Sequence, residues 1–289
     1  MNMNIYSLHP GLKEIEEKNG LSLEYVKMMP EGYASIVSLL KDKNTYYVAK
    51  TAVKHYEEIT DYRDLYSREI LKDTATIIDT HENTWLMKYA HPGDYIIRPL
   101  PPTMVIDLFN RTSFALGYFQ NVSFPKVQVF IEIMHNESTN ENINKVRQWG
   151  RDYLIDVNNK ENTQKTIQHG DLLDKNILID NQSRLVPLDP LPVEAIWYHD
   201  LARYIAWNRN PGTISAREYI NQVREIINLP DEFETYVCAV MAIEFACNFQ
   251  DSSHAHRMMV RENLIDLAPE YISKTIREID EDIFIKGLE

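Results

Sequence analysis

The chain has 289 residues, of which 44% are apolar and 25% are charged, a composition typical of a globular protein with an ample core. Its formal net charge is −13, which argues against binding of nucleic acid or of an anionic membrane, because both depend on basic patches. The same charge would suit a cationic small-molecule partner. The two cysteines, Cys238 and Cys247, have no neighbouring Cys or His cluster, so neither a disulfide framework nor a zinc site is predicted.

The chain shows no targeting or membrane-spanning pattern. Its first residues lack a basic region followed by an apolar stretch, so no secretion signal is predicted. The longest apolar run, 237–247, is too short for a membrane span and contains Glu244. We therefore expect a cytoplasmic protein.

The first ninety residues alternate β-rich and helical patterns. Runs rich in branched and aromatic residues predict strands at 25–29, 34–40, 45–53, 76–78 and 85–89. The polar segment 41–44 reads as a hairpin turn, so the strands beside it are expected to be antiparallel neighbours. Apolar residues spaced among charges over 64–72 predict a helix that packs one face on this sheet.

Beyond Pro92-Gly93 the pattern becomes mainly helical. Helices are predicted near 104–120, 141–157, 215–228, 231–250 and 269–282, and short strands at 166–168, 177–179 and 184–188. The chain is therefore predicted to be α+β, with a small β-rich lobe over residues 1–91 and a larger helical lobe over residues 92–289.

One segment carries the pattern of a chemical site. His169-Gly170-Asp171 is followed five residues after the aspartate by Asn176, and Asp189 comes after a predicted hairpin. In kinase catalytic loops an Asp accepts the proton of the acceptor hydroxyl, an Asn five residues later ligates magnesium, and a second Asp holds metal against the nucleotide phosphates. An Asp in such a turn is by itself most often a turn former, but the combined spacing favours phosphoryl transfer, with Asp171 as the base and Asn176 and Asp189 as Mg²⁺ ligands.

These residues, followed by Asp200-Leu201-Ala202, give the chain a resemblance to the aminoglycoside phosphotransferase family of kinase-like enzymes. Within that family the sequence is most similar to the streptomycin 6-kinases and the aminoglycoside and hydroxyurea resistance kinases. The resemblance covers most of the chain but is specific only over 169–202. It implies a two-lobed protein-kinase-like fold, with ATP or GTP as the phosphoryl donor and Mg²⁺ as the metal.

The resemblance also implies roles in the first lobe. Lys50, at the end of a predicted strand, would contact the α- and β-phosphates and pair with a helix carboxylate, for which Glu69 is the first choice and Glu58 the competitor. Gly32 and Ser35 fall where a phosphate-covering hairpin would lie, although an ordinary turn is nearly as good a reading.

Other implied positions follow from their place in the chain. The backbone of Lys88, Tyr89 and Ala90 falls where the kinase hinge meets adenine. Asp200 is expected to brace the catalytic loop by accepting backbone N–H bonds. This chain departs from its relatives at Leu173, where they have His, which bears on the substrate and the local loop and leaves the reaction intact.

The expected function is transfer of the nucleotide γ-phosphate to a hydroxyl of an aminoglycoside or related antibiotic. A metabolite that carries a hydroxyl, as in fructosamine-, choline- or homoserine-kinase-like relatives, is the alternative acceptor. A pseudokinase that binds nucleotide without turnover is the alternative from a different class, and retention of Lys50, Asp171, Asn176 and Asp189 argues against it.

Overall fold

The computed structural model describes residues 4–29, 35–52, 61–74, 76–89, 99–128, 131, 140–180, 184–207, 214–247 and 254–279. The chain divides into two compact units. Unit 1 comprises residues 1–95 and 178–188, and unit 2 comprises residues 96–177 and 189–289. The lobe boundary predicted after residue 91 stays a prediction.

Unit 1 is built on a five-stranded antiparallel sheet with the order β1-β2-β3-β5-β4. Its strands are β1 (Glu24–Met28), β2 (Ser35–Asp42), β3 (Thr45–Ala52), β4 (Ile77–His81) and β5 (Thr84–Lys88). Its helices are α1 (Ile5–Leu8), α2 (Leu12–Asn19) and α3 (Asp61–Leu71). The predicted hairpin turn at 41–44 is confirmed, since β2 and β3 pair in antiparallel register from Ser35 opposite Ala52 to Asp42 opposite Thr45.

The two faces of this sheet carry different residues because side chains alternate along each strand. One face presents Leu40, Tyr47, Ala49 and Leu86, which form a core with residues of α1 and α2. These two helices, which are only 4 and 8 residues long, were not predicted from the sequence. They bury one face of the sheet.

A buried polar network joins the segment between α1 and α2 to the same face. The His9 ring lies between two hydroxyls, with Nδ1 at 2.8 Å from Thr51 Oγ1 and Nε2 at 2.8 Å from Ser38 Oγ. Thr51 Oγ1 is in turn 2.8 Å from Thr84 Oγ1. Burial lowers the pKa of His9 to about 4, so the ring is neutral near pH 7.

A hairpin from the middle of the chain completes unit 1. Strands β8 (Ile177–Ile179) and β9 (Leu185–Pro187) form a two-stranded sheet. Arg184 makes an ion pair with Asp180 at 2.7 Å and donates a hydrogen bond to the backbone carbonyl of Asp73, just beyond α3.

Unit 2 is mainly helical. Its helices in the described ranges include α4 (Pro102–Thr112), α5 (Glu141–Asn159), α6 (His199–Ala206), α7 (Ala216–Arg224), α8 (Phe233–Cys247), α9 (His254–Leu267) and α10 (Glu270–Arg277). A three-stranded sheet has the order β10-β7-β6, from β6 (Phe114–Ala115), β7 (Lys165–Gln168) and β10 (Val193–Ile196). Helices α5 and α8 approach closely at Gly150, where an added Cβ would lie 2.7 Å from the Ala239 carbonyl oxygen.

One prediction for unit 2 is wrong, and four of its elements were not predicted. The helix predicted near 104–120 ends at Thr112, where Ser113 takes an extended conformation. The short strand β6 and a turn that contains Gly117, with a φ of 87°, follow it. Helices α6 and α9 and strands β6 and β10 were not predicted. Within the described ranges, the longest apolar helices fall short of what crossing a bilayer requires.

Candidate functional site

Asp171 and Asn176 are in direct contact in unit 2. The Asn176 side-chain amide donates from Nδ2 to Asp171 Oδ2 at 2.6 Å and to the Asp171 backbone carbonyl at 2.8 Å. A short 3₁₀ helix, Asp174–Asn176, closes the five-residue interval between them. Because Nδ2 faces the aspartate, Oδ1 of Asn176 points the other way as an acceptor.

The turn that presents Asp171 requires glycine before it. Gly170 has a φ of 75°, in the left-handed region. A Cβ added there would lie 1.9 Å from the Leu191 carbonyl oxygen. The Leu191 N–H also donates to the His169 carbonyl at 2.8 Å, so the segment that follows Asp189 packs directly on the turn before Asp171.

Helix α6 holds this turn from below through Asp200. The Gly170 N–H donates to both carboxylate oxygens of Asp200, at 2.9 and 3.2 Å, which confirms the bracing role predicted for this residue. The Asp200 N–H donates to Gln168 Oε1 at 2.8 Å. Backbone and side-chain hydrogen bonds therefore connect the turn before Asp171 to the start of α6.

Burial raises the pKa of the Asp200 carboxyl to about 7, because loss of hydration disfavours its charged form. The nearby Arg203 guanidinium and the N–H groups of Gly170 and His169 act in the opposite direction. Next to it, burial lowers the pKa of His199 to about 3, and its Nδ1 lies 2.9 Å from the Tyr236 hydroxyl. The support beneath the turn is thus a buried polar layer.

Arg203 also belongs to the site, although it was not predicted from the sequence. Its Nη2 lies 3.2 Å from Asp171 Oδ1, and its Nη1 donates to the Gly170 carbonyl. Both side chains are largely buried, at 14% and 16% exposed. The signal was a cation one helical turn after Asp200, which becomes informative only once α6 is known to begin at His199.

Asp189 sits at the start of the segment that packs on the turn. It has a φ of 56°, an uncommon conformation for a residue with a side chain and one that recurs at functional sites. Its side chain is half-buried. A carboxylate here and the outward Oδ1 of Asn176 are hard oxygen donors of the kind that Mg²⁺ accepts, so the residues fit the metal that the sequence implies.

In unit 1, Lys50 lies on the face of the sheet opposite the α1–α2 core. Strand register places Val37 and Trp85 on either side of it, on the same face. The Arg63 guanidinium of α3 lies 5.4 Å from the Trp85 ring centroid. Lys50 and α3, the helix that carries Glu69, are therefore on the same side of the sheet.

The other first-lobe positions are partly described. Glu69 forms an ion pair with Lys72, the residue just past the end of α3, and its pairing with Lys50 stays a prediction. Ser35 is buried at the start of β2. Gly32, Ala90 and the competing carboxylate Glu58 lie outside the described residues.

The backbone N–H groups of Lys88 and Tyr89, at the predicted hinge, both form hydrogen bonds within unit 1. The Lys88 N–H donates to the Thr76 carbonyl at 2.8 Å, and the Tyr89 N–H donates to the Tyr46 carbonyl at 3.0 Å. Both backbone N–H groups therefore already have a hydrogen-bond acceptor within unit 1. A backbone donor to adenine would therefore have to come from beyond residue 89.

Comparison with known proteins gives matches among solved structures. No protein-family model matches the sequence, and the curated proteins include no significant match. A candidate aminoglycoside phosphotransferase from Ralstonia eutropha superposes with a TM-score of 0.58 at 14% identity, covering 91% of this chain and 98% of that chain. The choline kinase LicA from Streptococcus pneumoniae gives 0.56 at 15% identity, covering 92% and 98%. A LicA complex with AMP gives 0.56 at 16% identity, covering 89% and 98%.

A candidate fructosamine-3-kinase from Thermobifida fusca also matches, with a TM-score of 0.51 at 12% identity, covering 92% of this chain and 98% of that chain. These matches extend over nearly all of each chain, while the identities are low. The chain, with its N-terminal antiparallel sheet and helical C-terminal region, thus has the protein-kinase-like fold of these structures.

Proposed function

We propose that this protein is a small-molecule kinase that transfers the γ-phosphoryl group of ATP or GTP to a hydroxyl, with Asp171 as the base. The observation that carries the proposal is the constrained Asp171 carboxylate. A glycine-dependent turn presents it, Asn176 donates to one oxygen, and Arg203 pairs with the other. Phosphoryl transfer depends mainly on such positioning and on neutralised charge.

Asp171 would accept a hydrogen bond from the acceptor hydroxyl and take its proton. Each carboxylate oxygen has two lone pairs, so the contacts with Asn176 and Arg203 leave one on each oxygen for the acceptor. The Gly170 turn holds the carboxylate while the proton moves. The proton acceptor is thus supplied by the protein in a fixed orientation.

Asn176 Oδ1 and Asp189 would hold Mg²⁺, which when bound would neutralise charge on the nucleotide phosphates. Lys50 would contribute a fixed cation to the α- and β-phosphates. Its place on the sheet face shared with α3 supports that role. The complex of LicA with AMP supports nucleotide binding by this fold.

For the acceptor we propose a cationic amino alcohol, with an aminoglycoside or related antibiotic as the first candidate. The matched structures include a candidate aminoglycoside phosphotransferase, a choline kinase and a candidate fructosamine-3-kinase. Aminoglycosides, choline and fructosamines each carry a hydroxyl and a cationic nitrogen. The net charge of −13 favours such a partner electrostatically. Choline-like and fructosamine-like metabolites are therefore the alternative acceptors.

The test is an acceptor panel of aminoglycosides, choline, ethanolamine and fructosamines, with ATP and GTP in separate reactions containing Mg²⁺. We expect transfer to one class. Asp171→Asn should lower kcat by about 10²- to 10⁴-fold, because proton transfer by a positioned side chain contributes that much. The surface substitution Asp152→Asn on α5 is the matched control and should leave kcat unchanged.

Two results would contradict the proposal. The proposed kinase function is contradicted if no acceptor is phosphorylated and neither nucleotide raises the unfolding temperature. Nucleotide binding without transfer across the panel would instead support the pseudokinase alternative.

A further inference from the structure

Arg203 contacts the proposed base from a helix that already supports the turn by another residue. Asp200 accepts a hydrogen bond from the Gly170 N–H, while Arg203, three residues later, donates to the Gly170 carbonyl and pairs with the Asp171 side chain. Helix α6 thus provides an acceptor for the N–H of Gly170 and a donor for the carbonyl of the same residue. The second of these contacts extends to the reacting carboxylate.

We propose that Arg203 is a positioning residue for Asp171, an inference that rests on the proposed kinase function. Its guanidinium pairs with Oδ1 while the Asn176 amide donates to Oδ2, so each oxygen of the Asp171 carboxylate has a partner that fixes its position. A guanidinium offers several donors in a rigid plane, which suits contacts with a carbonyl and a carboxylate together. The effect of Arg203 on turnover would therefore pass through Asp171.

This role differs from general support of the fold. The Asp200 bonds to Gly170 and the Asn176 bonds to Asp171 do not involve Arg203, so we expect the turn to keep them when Arg203 is replaced. The predicted nucleotide contacts, Lys50 among them, lie on unit 1. Loss of Arg203 should therefore lower kcat and leave nucleotide affinity unchanged.

The experiment compares Arg203→Met, which keeps the length of the side chain and removes its charge, with Arg203→Lys. Arg277→Met, an exposed position on α10, is the control. We expect Arg203→Met to lower kcat by about 10- to 100-fold, the scale of a misplaced reacting group, with the KM for nucleotide within about twofold. Arg203→Lys should recover part of the loss, because it keeps the charge without the planar fork, and Arg277→Met should match wild type.

A double-mutant cycle separates positioning from structural support. In an Asp171→Asn background, Arg203→Met should have no further effect on residual turnover, because the group through which it acts is gone. An equal fold-loss in both backgrounds would overturn the inference. So would an Arg203→Met variant with wild-type kcat.

A second readout does not depend on turnover. If the wild-type protein phosphorylates nothing, the proposed function fails, and the unfolding temperatures of the single and double variants still test the pair. Midpoints that fall by the same amount in Arg203→Met and in the double variant support coupling between the two side chains. Midpoints that fall additively refute it.

Discussion

At the scale of single residues, Gly170 is, among the glycines of the described ranges, the one where an added side chain meets the closest backbone atom. It combines a positive φ with a neighbouring carbonyl that leaves no room for a side chain. Gly117 has a comparable φ of 87° but no atom within 4 Å of an added Cβ. Comparing the two glycines therefore separates the energetic cost of a positive φ from the cost of a steric clash with the backbone.

We expect Gly170→Ala to destabilise the protein far more than Gly117→Ala. Both substitutions carry the left-handed penalty of about 1–2 kcal/mol, while Gly170→Ala adds a backbone clash of at least about 1–3 kcal/mol. Denaturant unfolding measures the difference, and turnover should be lost only in Gly170→Ala. Equal losses of stability in the two variants would show that the turn can relax around a methyl group.

How far the sequence could predict the site differs from residue to residue. Asp171 and Asn176 were found because they are five residues apart, and a local loop determines their contact. Arg203 is 32 positions from Asp171, and its contact depends on the direction in which α6 leaves β10. Spacing along the chain carries no information about that direction.

At the scale of elements, the first two helices are attached to the sheet through a neutral histidine. His9 is buried and lies between Ser38 and Thr51. Protonating it would put an uncompensated charge into that core. Its attachment should therefore weaken in acid.

The direction in which stability changes with pH follows from the folded and unfolded pKa values of His9. The folded pKa of His9 is about 4 and the ordinary value is 6.5, so between these pH values the unfolded chain binds more protons. Stability from this group is present above about pH 6.5 and is lost as the pH falls towards 4, by at most about 1.4 kcal/mol per pH unit.

His9→Gln should test this pH dependence. We expect the variant to be less stable than wild type at pH 7.5, with a gap that narrows as the pH falls to 5, in denaturant titrations. His81→Gln, at an exposed position of β4, is the control and should follow the wild-type curve. A gap between wild type and His9→Gln that is constant with pH would contradict the buried neutral ring.

Elements were predicted where alternation or turn chemistry was strong. The β2–β3 hairpin is an example, because a polar turn separates two runs of branched and aromatic residues. Helices α1 and α2 were missed because each is too short to show a sustained period. Tertiary packing on the sheet, which local propensity does not report, stabilises them.

At the scale of the whole molecule, the net charge of −13 is a source of self-repulsion. At physiological ionic strength the Debye length is about 8–10 Å, and repulsion between exposed charges that are farther apart than this is largely screened. The exposed ion pairs on the helices are worth little individually and are screened as well. The net effect of salt should therefore be stabilising.

We expect the unfolding temperature at pH 7.5 to rise when NaCl is increased from about 10 to about 200 mM, since the Debye length falls by a factor of about four. The increment should shrink near pH 5.2, the isoelectric point. Calorimetry at both pH values measures it. A fall in the unfolding temperature with salt at pH 7.5 would mean that attractive pairs dominate.

The hairpin at residues 178–188 affects how this chain is made. It belongs to unit 1 although residues 96–177 of unit 2 precede it. During synthesis the first ninety-five residues emerge early, yet their unit lacks its last strands until residue 188 of 289 has left the ribosome. All five strands of the large sheet are translated before then, but the surface beside α3 stays uncovered while residues 96–177 of the helical unit are made, and a chaperone that binds nascent chains would find its target there.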